Sequence, residues 1–96
     1  MKMMIIVHNA ALGSDVLDIL KNAGITKYTQ LEEIKGRGRS SEPHLGTHIW
    51  PGINTITFTV AEDEIFQKVT CGFKKLKEKY KLEGIKVFLV PAEELI

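Results

Sequence analysis

The segment from about Lys2 to His8 is apolar on both faces when it is read as a β-strand. Side chains alternate between the faces of a sheet, and here they are Met4 and Ile6 on one face and Met3, Ile5 and Val7 on the other. A strand of this kind is central in its sheet and covered on both sides. The chain's own helices supply one cover, and we expect a neighbouring subunit to supply the other.

The remaining periodicities complete a β-α-β-β-α-β order. They predict helices over about 12–23 and 63–80, and further strands over about 27–35, 55–60 and 85–90. This is the ferredoxin-like α+β arrangement, for which we expect an antiparallel sheet of order 4-1-3-2 with both helices on one face. The first strand then lies in the middle of the sheet, as its composition requires. The length of 96 residues predicts a single domain.

The second and third strands carry the more detailed expectations. Tyr28, Leu31 and Ile34 are three residues apart and cannot share a face of a regular strand, so we expect a β-bulge near 30–33. In the third strand, three apolar residues alternate with three threonines. Alternation predicts that the apolar set faces the helices and the threonines face away; the two sets are Ile56, Phe58 and Val60, and Thr55, Thr57 and Thr59.

The segment from Gly36 to Ile53 has neither a helical nor a strand pattern, although it joins two strands predicted to pair. Hairpin loops usually contain about 2–5 residues, and loops above about 12–15 residues are uncommon unless they are functional or disordered. We therefore expect the function to lie in this segment, called the 36–53 loop below.

The start of the 36–53 loop is a candidate anion site. Gly36, Arg37, Gly38 and Arg39 combine two guanidinium groups with a glycine-rich backbone. Guanidinium forks match the oxygens of carboxylates and phosphates, and glycines let backbone amides approach an anion. The alternative is a hairpin with two solvated arginines.

The middle of the loop is a candidate metal site. His44 and His48, with Glu42 nearby, could bind a divalent ion if the loop folds back, although Pro43 and Gly46 argue against a helix. The alternative is a pair of hydrogen-bonded loop histidines.

Trp50 is a candidate partner anchor, or else a hydrophobic side chain that closes the loop over the core.

Other features favour a regulator over an enzyme. His8 is interpreted as a satisfied histidine at the core edge, and Cys71 as packing within a helix, with no companion set for nucleophilic catalysis. No phosphate-binding P-loop and no nucleophile elbow occur. The single cysteine suggests a reduced, cytoplasmic setting. A net charge of +1 gives no reason to expect a nucleic acid or a membrane as partner, and no stretch approaches the length of a membrane span.

Two stretches carry a family resemblance. Residues 24–29 read Gly-Ile-Thr-Lys-Tyr-Thr, and residues 33–39 read Glu-Ile-Lys-Gly-Arg-Gly-Arg. They resemble the PII nitrogen-regulatory family, in which a Gly-Ile-Thr strand start leads into Glu-Val-Lys-Gly-x-Gly-Arg and then into a long T-loop. The likeness is close over the second strand and its exit, and looser over the rest of the chain.

The resemblance implies a homotrimer with ligand clefts between subunits and a T-loop that contacts a partner, such as a transporter or an enzyme. It also implies that the backbone around Gly38 and the side chain of Arg39 belong to an adenine-nucleotide cleft, with Thr29 nearby. The chain departs from the family after the second helix, because residues 81–86 replace a glycine-rich phosphate loop. Two arginines of the family after the last strand are also missing, and the loop lacks the tyrosine that some members modify.

Three functions are compatible with this size and topology. The first is a trimeric sensor that binds a small anionic ligand or a nucleotide. The second is a metal-binding trimer, similar to the divalent-cation tolerance proteins of the same superfamily, which would use His44, His48 and Glu42. The candidate cofactors are accordingly an adenine nucleotide and a divalent metal. The third, an acylphosphatase-like enzyme, is rejected because residues 8–11 after the first strand contain no arginine.

Overall fold

The computed structural model describes residues 1–35 and 54–96, in which strands and helices follow the predicted order. The strands are β1 (Lys2–Asn9), β2 (Thr29–Ile34), β3 (Asn54–Ala61) and β4 (Ile85–Pro91), and the helices are α1 (Gly13–Asn22) and α2 (Asp63–Lys79). A 3-10 turn, Ala10–Leu12, precedes α1. The predictions for the 36–53 loop lie outside the described residues.

The four strands form one antiparallel sheet of order β2-β3-β1-β4, which is the predicted order read from the opposite edge. β1 lies between β3 and β4, so the doubly apolar strand is central. Met4 and Ile6 of β1 share one buried cluster with residues of both helices, so the helices cover the same face. Those helical residues are Val16 and Leu20 of α1, and Phe66, Val69, Phe73 and Leu76 of α2.

The two helices approach each other closely at Gly72, in the middle of α2. A Cβ atom at this position would lie 3.0 Å from Cγ2 of Ile19 in α1, which is closer than side chains normally pack. The glycine costs helix propensity, about 1 kcal/mol relative to alanine. Its lack of a side chain allows α1 and α2 to pack against each other.

The end of α1 matches its sequence signal. Gly24 has φ +84°, a conformation that glycine adopts without a steric penalty. The amide of Ile25 donates to the carbonyl of Leu20, and the amide of Gly24 donates to that of Lys21. These are the two hydrogen bonds of a Schellman motif, and Leu20 and Ile25 are both buried beside it.

The predicted irregularity of β2 is present. Leu31 pairs with Ile56 and Ile34 pairs with Asn54, so three residues of β2 span two residues of β3. Glu33 absorbs the extra residue with φ 57°. The bulge is therefore confirmed, and it lies immediately before the 36–53 loop.

The predicted orientation of β3 is wrong. Met4, Ile6 and His8 of β1 lie opposite three threonines of β3, and opposed residues share a face. Those threonines, Thr55, Thr57 and Thr59, are buried under the helices, whereas Ile56, Phe58 and Val60 lie on the other face. The reason is that β1 is apolar on both sides and therefore gives β3 no preferred face, while hydrogen bonds allow threonine hydroxyls to be buried.

Candidate functional site

The stem of the 36–53 loop is the described part of the region that the sequence singles out. β2 and β3 pair from Thr29 opposite Phe58 to Ile34 opposite Asn54. The loop thus leaves the sheet one residue after the last paired position of β2 and returns directly at the start of β3. The remaining candidate residues lie outside the described part of the chain: Gly36, Arg37, Gly38, Arg39, Glu42, His44, His48 and Trp50.

Thr29 is the one candidate ligand residue that the structure describes. It is exposed and lies opposite Phe58, so it belongs to the face that the helices leave uncovered. β2 is an edge strand, which places the hydroxyl of Thr29 at the border of the sheet. A threonine hydroxyl can both donate and accept a hydrogen bond. It is available there to a ligand bound between this sheet edge and another chain.

The uncovered face of the sheet is apolar across all four strands. We call it the open face, and its apolar residues are Met3, Ile5, Val7, Leu31, Ile56, Phe58, Val60, Phe88 and Val90. Phe88 is 53% exposed and Leu31 is 50% exposed. Contiguous apolar surface on this scale marks an interaction site rather than ordinary solvent-facing surface.

The covered face carries a buried chain of hydrogen bonds. Gln30 Nε2 donates to Thr57 Oγ1 at 3.0 Å, and Thr57 Oγ1 lies 3.1 Å from His8 Nε2. His8 Nδ1 lies 2.9 Å from the carbonyl oxygen of Asn9. Because a carbonyl only accepts, Nδ1 carries the proton, and Nε2 accepts from the Thr57 hydroxyl. The arrangement suits a neutral imidazole.

Burial also favours the neutral form of His8, whose side chain is 1% exposed. Burial lowers its pKa below the ordinary value of 6.5, and the hydrogen bond to Asn9 offsets part of this effect. A ring so enclosed cannot contact a substrate, so the interpretation of His8 as a satisfied core histidine is confirmed. No pattern in the sequence identified its partners, Gln30 and Thr57.

Cys71 differs from its sequence interpretation, because it is exposed on α2 rather than packed. Within residues 1–35 and 54–96, no cluster of three His, Cys, Asp or Glu side chains could hold a metal ion. In the same ranges, no helix combines the length and apolarity needed to cross a membrane.

These features define a class of protein: a ferredoxin-like domain with a long β2–β3 loop and an apolar sheet face available to another chain. The family is given by a direct comparison. The model of the family "Nitrogen regulatory protein P-II" matches residues 1–96, and the chain therefore belongs to this family. Among curated proteins, none matches the chain.

Solved structures support the same fold. The chain is similar to CPII from Thiomonas intermedia K12, a nitrogen regulatory PII-like protein bound to ADP, AMP and bicarbonate, with a TM-score of 0.73 and 22% identity over 93% of this chain and 82% of that chain. A second CPII structure, bound to ADP, AMP and acetate, gives 0.70 and 19% over 92% and 81%. A PII-like signaling protein from Thermus thermophilus gives 0.62 and 21% over 93% and 83%.

Proposed function

We propose that this chain is a trimeric, cytoplasmic, non-enzymatic PII-like sensor. It binds a small anionic ligand or a nucleotide in clefts between subunits, and it reports occupancy to a transporter or enzyme through the 36–53 loop. The observation that carries the proposal is the open face, because it supplies both the assembly and, at its border, the cleft.

The apolar character of the open face supports the trimer. Burying apolar surface contributes roughly 25 cal/mol per Å², and three copies that pack these faces together would bury side chains such as Ile5, Phe58 and Phe88. Each copy already has its opposite face covered by α1 and α2. The open face is therefore the surface through which assembly has most to gain.

The position of the loop stem supports the cleft. Thr29 lies at the border of the open face, and the glycine–arginine segment 36–39 follows the same strand within a few residues. A neighbouring copy packed against the open face would bring its own surface close to both. Phosphates, carboxylates and bicarbonate share the oxygen geometry that guanidinium groups bind, and the CPII structures are described with ligands of these kinds.

The loop supports the signalling role through its length and position. A ligand bound at Gly36 to Arg39 contacts the beginning of the 36–53 loop and can favour one of its conformations through differential contacts. Trp50 is the proposed anchor for the partner. A metal ion held by Glu42, His44 and His48 is the competing use of the same segment.

Isothermal titration calorimetry with ADP, AMP, ATP, bicarbonate and zinc tests the proposal. Arg39→Ala should weaken binding of the anionic ligand by about 10- to 150-fold, since a charge-assisted hydrogen bond contributes about 1.5–3 kcal/mol. Arg39→Lys should recover part of the affinity, because a point charge does not reproduce the planar fork. Lys21→Ala, which removes an exposed cation on α1, is the matched control.

Thr29→Val sharpens the same test, because it removes the hydroxyl and keeps the shape of the side chain. We expect a loss of about fivefold, corresponding to about 1 kcal/mol for one neutral hydrogen bond. If Arg39→Ala leaves every affinity unchanged, the anion cleft is refuted. If zinc binds and is lost only in the double variant His44→Ala/His48→Ala, the loop is a metal site instead.

A further inference from the structure

A groove runs between α2 and the edge strand β4, away from the stem of the 36–53 loop. Its volume is about 310 Å³. Its apolar floor includes Val69, Phe73, Ile85, Val87 and Leu89, and three lysines, Lys74, Lys77 and Lys86, also line it. The groove thus combines an apolar floor with positive charge and calls for an occupant that is both apolar and acidic.

The exposed edge of β4 bears apolar side chains toward both faces of the sheet. Leu89 is 45% exposed on the helix side, and Phe88 and Val90 are 53% and 37% exposed on the open face. β4 pairs with β1 alone in the described sheet, so its other edge has unpaired backbone groups. Such an edge is a template for an added extended segment.

The residues that follow β4 have the complementary composition. Residues 92–96 read Ala-Glu-Glu-Leu-Ile, and both glutamates are exposed. Leu95 is 95% exposed and Ile96 is 104% exposed, so neither apolar side chain has a packing partner in its own chain. Two carboxylates and two apolar side chains match the lysines and the apolar floor of the groove.

We propose that residues 92–96 of one subunit dock along β4 of the next subunit and fill its α2–β4 groove. In an extended segment, Glu93 and Leu95 point to one side and Glu94 and Ile96 to the other. The first pair then faces the groove, with Leu95 on the apolar floor and Glu93 near Lys74 and Lys77. The second pair faces the side of Phe88 and Lys86.

The donor is a second copy because the segment cannot reach its own groove. The amide of Ala92 donates to the carbonyl of Met1, so the chain still runs alongside β1 at this point. A reversal needs a turn of about two residues, which leaves two residues to run back along a groove that extends from Leu89 to Ile85, about 13 Å. Head-to-tail docking closes into a ring, and in this respect the inference rests on the trimer proposed above.

Disulfide cross-linking tests the docking. In a Cys71→Ser background, Leu95→Cys is combined with Thr70→Cys or with Lys77→Cys, two exposed positions about two helical turns apart along the groove. Mild oxidation should give covalent trimers that reductant resolves, because each chain carries one donor and one acceptor cysteine. Leu95→Cys alone can give at most dimers. Leu95→Cys with Asp18→Cys on α1 is the matched control and should give no trimer.

Charge reversal supplies a second measurement, the trimer fraction on dilution by light scattering. Glu93→Lys/Glu94→Lys and Lys74→Glu/Lys77→Glu should each raise the dissociation constant about tenfold, and the quadruple variant should restore much of it. A stable trimer without cross-links and without charge coupling overturns the docking and leaves the proposed function standing. A monomer at tens of micromolar for the unmodified chain overturns the proposed assembly itself.

Discussion

The two faces of the sheet differ in a way that reverses the usual expectation. The face under the helices contains three threonines and a histidine, Thr55, Thr57, Thr59 and His8, whereas the open face is apolar across every strand. Polar side chains are buried where the chain itself supplies hydrogen-bond partners. The apolar residues are concentrated where another chain would cover them. In this fold, burial within the monomer is therefore a poor guide to which strand face matters for assembly.

The largest expected effect is on the open face. Ile5→Glu places a carboxylate in the middle of this face, where a trimer would bury it without a partner, at a cost of several kcal/mol. We expect the variant to be a folded monomer at micromolar concentration, measured by light scattering together with circular dichroism. Asp18→Lys changes charge on the exposed surface of α1 and should leave the trimer intact. A trimeric Ile5→Glu variant would show that the open face is not the interface.

The two faces can next be compared with matched phenylalanine truncations. Phe66 is 3% exposed under the sheet, so Phe66→Ala should destabilise the fold by about 3–5 kcal/mol. Phe58 is partly buried on the open face, and Phe58→Ala should cost clearly less in a monomeric background such as Ile5→Glu. Urea unfolding of both variants in both backgrounds measures the difference. Equal losses in the monomer would mean that the two faces are equally packed within the chain.

The sequence predicted the local features of this fold better than the facing of β3. Gly24 and the spacing of Tyr28, Leu31 and Ile34 are local signals, and the structure confirms both the helix end and the bulge. The facing of β3 depends on the partners of Thr57, which lie 27 and 49 residues away in the sequence, at Gln30 and His8. A strand pattern alone cannot identify such partners.

The candidate site was less accessible to prediction than the fold. Thr29 is described on the open face, at the border where the proposal needs it, but its role comes from a family resemblance. Its neighbours in the loop, including Arg39 and His44, stay predictions. A cleft between subunits needs the positions of two chains, and the periodicity of one strand specifies only its own two faces.

A moderate effect is expected from the buried threonine. Thr57→Val keeps the volume of the side chain, yet it removes the hydroxyl that bridges Gln30 and His8. His8 Nε2 then loses its hydrogen-bond donor, and leaving a buried polar group unsatisfied costs about 1–3 kcal/mol. Urea unfolding measures the loss. Thr70→Val on α2, whose hydroxyl donates within its own helix at a partly buried position, is the control and should change stability less. A neutral Thr57→Val would mean that the hydrogen-bond chain does not stabilise the covered face.

The smallest effect is a pH dependence that arises on the covered face alone. Burial lowers the pKa of His8 in the folded state below 6.5, so the unfolded chain binds more protons than the folded chain once the pH falls below about that value. The stabilising contribution is therefore complete above pH ~6.5 and is lost as the pH falls toward the folded-state pKa, with a slope of at most about 1.4 kcal/mol per pH unit. The chain has two other histidines, so urea unfolding between pH 5 and 7.5 is compared in two variants. His44→Gln/His48→Gln should keep the slope, whereas His8→Gln should lose it. If the loop variant loses the slope instead, the titrating group belongs to the loop, and the covered face contributes no pH dependence of its own.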